Sequence, residues 1–182
     1  MLRGGGYEAI GVDPKAPDKG HYRRVEFEQL EPSGDIDAVV ASTSLHHVAD
    51  PAAVIDRIGR TLAHGGSLVV VEWAWEEFDE PTAEWCFQRL GRDEGWLHRR
   101  RDEWLASEET WDACIRGWGQ TEQLHAADTL LRLLDERFER EQLTNGAYFF
   151  PDLAQTSEED ELAAIESGQI RATRVDYLGR RR

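Results

Sequence analysis

The run DIDAVVASTSLHHVADPAAVIDRIGRTLAHGGSLVVVEW, residues 35 to 73, decides the fold. Residues 36–41 are apolar, rich in Val and too few for a lone helix, which predicts a buried strand. Asp50-Pro51 opens a helix, with Asp as N-cap and Pro in the first helical position. Val54, Ile55, Ile58 and Leu62 give that helix one apolar stripe, and Gly65-Gly66 is expected to stop it. Residues 67–71 form a second buried strand that ends at Glu72. Strand, helix and strand with apolar character on both strand faces is a parallel βαβ unit. Ligands of such sheets sit beyond the carboxyl ends of the strands. Those ends carry Ser42-Thr43-Ser44-Leu45-His46-His47 and Glu72-Trp73.

Working back toward the N-terminus, residues 23–27 read as a short strand ending in Glu26-Phe27, and residues 7–12 as another, closed by Asp13-Pro14. An acid at the end of an early strand can accept hydrogen bonds from ribose hydroxyls. A carboxylate at Glu26 can accept an adenine amino group, and a ring at Phe27 can stack on the base. Taken singly, the three read as a turn acid before proline, a surface Glu and a core Phe. Gly4-Gly5-Gly6 follows no strand, so it reads as the stop of a helix rather than a phosphate loop.

Toward the C-terminus the composition changes. All seven tryptophans lie between Trp73 and Trp118. A helix is expected near Pro81, and a second, with Trp111, Cys114, Ile115 and Trp118 on one face, behind a Ser107 cap. Such aromatic stripes form core first and a lid over an apolar pocket second. Arg99-Arg100-Arg101 reads as a solvated helix face. Thr121 is expected to cap a helix carrying Leu124, Ala127, Leu131, Leu134 and Phe138. Residues 139–143 read as a strand leading to an Asn145-Gly146 turn, followed by an aromatic segment at Tyr148-Phe149-Phe150 that packs beside the site. Ser157 and Asp160 form a capping box on a helix that runs to Gly168. Residues 170–178 form a last strand with a frayed Arg180-Arg181-Arg182 tail.

At 182 residues the chain can bury a core, and one domain is expected, divided into a cofactor-side unit (7–73), a Trp-rich helical segment (74–137) and closing strands with a helix (138–182). A net charge of −15 argues against binding nucleic-acid phosphates. No apolar run is long enough to span a membrane, no signal-peptide core is present, and Cys86 and Cys114 have neither metal nor redox spacing. A cytoplasmic setting is the expectation. His46 and His47 lack a third ligand at useful spacing, so a metal site is not expected.

The order of these pieces, carried by AIGVDP (9 to 14), VEFEQL (25 to 30), DAVVASTSLHHVADP (37 to 51) and LAHGGSLVVVEW (62 to 73), resembles the class I S-adenosylmethionine-dependent methyltransferases of the small-molecule branch. The resemblance implies an α/β, Rossmann-like sheet, mostly parallel with an antiparallel C-terminal strand, and S-adenosylmethionine as cofactor. It implies Asp13 as the ribose-binding acid, Glu26 as the adenine-amino acceptor and Phe27 beside the adenine ring. Ser42 and Thr43 match the strand end beside the methionine part, and His46 and His47 follow on the loop nearest the methyl group. The family's first strand and Gly-x-Gly loop have no counterpart here, as though the sequence began at an internal Met or came from an N-terminally truncated relative. Without that central strand, two edges lose their partners, so a poorly stable form that binds cofactor weakly is expected.

Because a sulfonium methyl is already activated, the protein mainly has to align nucleophile, methyl and leaving sulfur. A base helps only where the nucleophile holds its proton near neutral pH, and His47, or His46, is the candidate. The alternative for the pair is that one histidine packs against the helix start while the other faces solvent. Two other readings stay open: a non-catalytic, methyltransferase-like partner subunit, and a nicotinamide-dependent oxidoreductase. The latter lacks both the Tyr and Lys spacing of the short-chain type and a dinucleotide glycine motif. The expected acceptor is a small molecule.

Overall fold

The structure is a computed structural model that describes residues 6–17, 19–31 and 33–182. It is built on a four-stranded sheet. Strand β3 (Ile36–Ser42) runs parallel to β4 (Leu62–Trp73), which pairs antiparallel with β6 (Arg174–Arg181), and β6 pairs antiparallel with β5 (Phe138–Gly146). A separate parallel pair, β1 (Gly11–Val12) with β2 (Tyr22–Arg23), stands apart from the four. Gly4 and Gly5, read as a helix stop, lie outside the described residues.

Helix α1 (Pro51–Thr61) forms as the sequence dictates: the Asp50 carboxylate accepts the Ala53 N–H at 3.0 Å and Pro51 sits in the first turn. Val54, Ile55 and Ile58 are each no more than 3% exposed, and each contributes about 1.5–3 kcal/mol by burial against the sheet. The glycines do not stop this helix. Thr61 Oγ1 bonds back to the Arg57 carbonyl, and fully buried Leu62 already turns extended. Gly65 and Gly66 serve the step that follows, where pairing with β3 jumps from Leu62 to Ser67. Gly65 takes φ +73°, and a Cβ on Gly66 would stand 3.2 Å from the Ile36 and Asp37 carbonyls of β3.

Three further departures concern the strands. The strands expected over 7–12 and 23–27 shrink to two residues each, and Phe27 instead opens a short 3₁₀ turn (Phe27–Gln29). The face of β3 away from α1 is not buried: Ile36 and Val40 are 39% and 53% exposed, and no strand among the described residues pairs with that outer edge. Asn145-Gly146 is no hairpin turn; both residues stay in β5 opposite Val175 and Arg174, and the chain makes a long excursion through α6 (Glu158–Glu166) before β6 returns.

Between β4 and β5 lie α2 (Glu80–Phe87), α3 (Trp96–Ala106), α4 (Trp111–Thr121) and α5 (Ala127–Arg137). Ser107 closes α3, and the α4 cap is Thr110, whose hydroxyl accepts the Ala113 N–H. Thr121 ends α4 rather than starting α5; the first free N–H of α5, at Ala127, is taken by Glu76 Oε1 at 2.6 Å. That acid sits largely out of water, and burial raises its pKa. The capping box at Ser157 and Asp160 is present as read. The terminal arginines are not frayed: Arg180 bonds both oxygens of Glu141, and Arg181 bonds the Leu62 carbonyl. No helix among the described residues is long and apolar enough to cross a membrane.

The apolar interior has two main parts. One lies between the sheet and α1 with α5, around Ile55, Leu68 and Phe138. The other is aromatic, around Trp73, Phe78, Trp111 and Phe149, under α2 to α4.

Candidate functional site

β3 and β4 are parallel, so their carboxyl ends open on the same side. Along β4, Leu68 and Val70 point into the core, and the period-two alternation carries Glu72 on in the same row, 2% exposed. Its carboxylate lies just past the end of β3. Oε1 accepts the N–H groups of Ser44 (2.8 Å) and Leu45 (2.6 Å), and Oε2 meets Nδ1 of His46 at 2.5 Å. A buried carboxylate with three N–H partners is a satisfied one. It fixes the loop after β3 and one face of the His46 ring together.

One of the two histidines is buried and the other exposed. His46 is 4% exposed, and its main-chain carbonyl accepts the His125 N–H. His47 faces outward, its ring 4.1 Å from that of His46. The His47 pKa is lowered, first by burial of part of the ring and next by neighbouring His46. Lys15 also lowers it while Glu72 and Glu122 oppose the shift, which puts the turn after Asp13 and the end of α4 within electrostatic reach of this ring.

Thr43 begins the loop in the left-handed region, at φ +46°, and its N–H is held by the Val71 carbonyl at 2.7 Å. Ser42 is exposed at the strand end. Asp13 is exposed where β1 stops; its Oδ1 accepts the Lys15 N–H at 2.6 Å in an Asx-type turn, and its second oxygen has no partner among the described residues. Glu26 is exposed, and its carboxylate has no partner among the described residues. Phe27 is half-buried against the cluster that holds Leu45 and Ile55, on a turn that packs on α1.

Beyond Thr43, His46 and His47 opens a cavity of about 540 Å³, walled by Trp73, Trp96, Trp118, Tyr148 and Phe149. Trp75, Trp85 and Trp111 are core, Trp73 is core and also lines the cavity with the partly buried Trp96 and Trp118, and Trp104 packs partly buried against the same cluster. Tyr148 stacks on Trp73 at 5.7 Å and 9°, so the aromatic segment does pack beside the site. Burial, with Glu72 nearby, pushes the Tyr148 phenol up to about 12. Arg99 and Arg100 are not a merely solvated face. Both line the cavity, and the Arg100 guanidinium lies 5.5 Å from the Trp118 ring centre. Glu122 and Asp152 supply opposite charge on the same lining. The sequence reading put Glu72 at a strand end without giving it a role. Nothing local in the sequence marks Arg99, Glu122 or Asp152, which come to one lining from α3, from the end of α4 and from the turn after β5.

Residues 1–138 match the family model of the methyltransferase domain. The chain belongs to this family. Solved structures agree on the fold of the methyltransferase domain. A S-adenosylmethionine-dependent methyltransferase from Mesorhizobium loti is 18% identical, with 94% of this chain and 80% of that one covered and a TM-score of 0.53. A protein of Listeria monocytogenes taken to be a S-adenosylmethionine-dependent methyltransferase is 12% identical, with coverage of 96% and 81% and a TM-score of 0.54. The N-methyltransferase NodS from Bradyrhizobium japonicum WM9, solved with S-adenosyl-L-homocysteine, is 18% identical at a TM-score of 0.46; 90% of this chain is covered but 56% of NodS, so the chain spans little more than half that length. Among curated proteins none matches this sequence. The Rossmann-like methyltransferase fold expected from the strand order is the fold of this chain.

Proposed function

We propose that this methyltransferase domain transfers a methyl group from S-adenosylmethionine to a small-molecule acceptor held in the aromatic cavity. The observation that carries this reading is that cavity's position, beyond the carboxyl ends of β3 and β4, with Thr43, His46 and His47 on its lining. Two features support the cofactor. Glu26 and the second oxygen of Asp13 are exposed acceptors without partners among the described residues, the chemistry that an adenine amino group and ribose hydroxyls require. Phe27, half-buried and next to Glu26, offers ring surface to a base. Asp13, Glu26, Phe27, Ser42 and Thr43 would hold the adenosine and methionine parts. Of Gly4-Gly5-Gly6, only Gly6 is described, at φ +86°.

When bound, the cofactor supplies an activated methyl on a positive sulfur. The protein then excludes water with its aromatic walls and orients the acceptor by stacking it between indole faces. The His46–His47 pair offers a proton acceptor, and partial burial with His46 beside it lowers the His47 pKa, which favours the neutral ring. Incubation with S-adenosylmethionine labelled in its methyl group, against a panel of small phenols, amines and carboxylic acids, tests the proposal. Labelled product with S-adenosylhomocysteine released in equal amount supports it. Hydride exchange with a nicotinamide cofactor and no methyl transfer would replace it with the oxidoreductase reading.

A further inference from the structure

Glu72 and His46 form a buried pair that the alignment role of the site does not require. A carboxylate only accepts, so the 2.5 Å contact between Glu72 Oε2 and His46 Nδ1 puts the ring proton on Nδ1. In the neutral imidazole, Nε2 then keeps its lone pair. Nε2 has no hydrogen-bond partner among the described residues, and it is not among the side-chain nitrogens sealed inside the protein. His46 lines the aromatic cavity, and with Nδ1 taken by Glu72, Nε2 is the ring nitrogen left to meet it.

Resting on the methyl-transfer reading, we infer that His46, rather than the exposed His47, takes the acceptor's proton, with Glu72 as its positioning residue. The acceptor's O–H or N–H bond gives its proton to Nε2 and its electron pair to the new bond to the methyl carbon. The carbon–sulfur bond breaks with its electron pair left on sulfur, and His46 becomes an imidazolium beside the Glu72 carboxylate. This arrangement has three advantages over His47. His46 is held on both sides, by Glu72 at Nδ1 and by the His125 N–H at its main-chain carbonyl. The positive ring that forms lies against a fixed negative partner. The third is that His46, 4% exposed, meets the cavity rather than bulk solvent. His47, 4.1 Å away, is placed to pass the proton on to solvent. The charged and titratable groups that face this pair are Glu72 from β4, Lys15 from the turn after β1, Glu122 from the end of α4 and Tyr148, which faces Glu72.

Glu72→Gln separates positioning from packing. The side-chain oxygen of Gln still accepts the Ser44 and Leu45 N–H groups, while its amide donates to Nδ1. The ring proton must then move to Nε2, and the cavity loses its acceptor. Two readouts need no methyl acceptor. Nitrogen NMR of labelled histidine reads the tautomer of His46, and carbethoxylation by diethylpyrocarbonate, located by mass spectrometry, reads an unprotonated and reachable Nε2. The expected result is an Nδ1–H tautomer and a modified His46 in the natural chain. In Glu72→Gln the expected result is an Nε2–H tautomer and modification of His46 slowed about tenfold or more. Titration of the same samples with S-adenosylhomocysteine keeps the two ideas apart. Binding with an unreactive or Nε2–H His46 in the natural chain overturns the His46 assignment alone. No binding by either protein overturns the methyl-transfer reading, and this inference with it. Should Glu72→Gln not fold, the tautomer and reactivity of the natural chain decide the matter by themselves.

Discussion

Replacement of Glu161 tests how the cavity wall is held. Glu161 is 1% exposed on α6, and its carboxylate accepts three successive main-chain N–H groups: Tyr148 at 2.8 Å and Phe149 at 3.1 Å on Oε1, Phe150 at 2.6 Å on Oε2. Two of these residues wall the cavity. Glu161→Ala leaves all three donors without an acceptor. The Phe149 group is buried and carries the full penalty, while the other two are part-buried and regain some water. Loss of such a network costs about 3–5 kcal/mol, near the sum of one full and two discounted penalties of about 1–3 kcal/mol each. For a chain of this length that lowers Tm by roughly 6–20 °C. Glu161→Gln keeps the two bonds at its oxygen and turns a donor toward Phe150, so it loses about 1–3 kcal/mol. Urea unfolding followed by tryptophan fluorescence measures both, and near-ultraviolet circular dichroism reports the Trp73–Tyr148 stack. An Ala variant within about 0.5 kcal/mol of the natural chain, with the aromatic signal intact, would refute the idea that this acid positions the wall.

Other outcomes follow from the same geometry. A Cβ at Gly119 would stand 2.6 Å from the Trp75 ring, which is buried and tethered by its N–H to the His125 carbonyl, so Gly119→Ala should lose about 1–3 kcal/mol in the same urea assay despite the better helix former. Asp13 is exposed, so Asp13→Ala should leave Tm within about 2 °C yet weaken S-adenosylhomocysteine binding about tenfold by calorimetry. The lowered pKa of His47 has a definite sign. The unfolded chain takes up this proton near pH 6.5 and the folded chain only below that, so folding stability falls as pH drops from about 6.5 through the folded value. Denaturant midpoints measured from pH 7.5 to 5 should decline less steeply in His47→Gln than in the natural chain.

Much of this was legible in the sequence because the signals were local. Asp50-Pro51 caps α1, the Ser157–Asp160 box caps α6, and the apolar runs at 36–41 and 67–71 pair as parallel strands. What misled were single residues whose partners lie far along the chain. Thr121 carries the chemistry of a helix cap, but α5 is capped from Glu76, 51 residues away. Asn145-Gly146 has turn chemistry, yet Val175 and Arg174 hold it in the sheet. Glu72 could be placed at a strand end, but its ties to Ser44, Leu45 and His46 depend on how far β3 runs relative to β4. The arginines at 99 and 100 look solvated until α3 is packed against Trp118.

The central claim, that residues 7 to 73 grip a nucleoside cofactor beside the aromatic cavity, is tested most directly by amide NMR during titration with S-adenosylhomocysteine, which detects weak binding as readily as strong. Saturable shifts should gather at Asp13, Glu26, Phe27, Ser42 and Thr43 and fade in Asp13→Ala. A folded chain whose spectrum is unmoved by millimolar S-adenosylhomocysteine, or moved only at residues distant from these, would contradict the account.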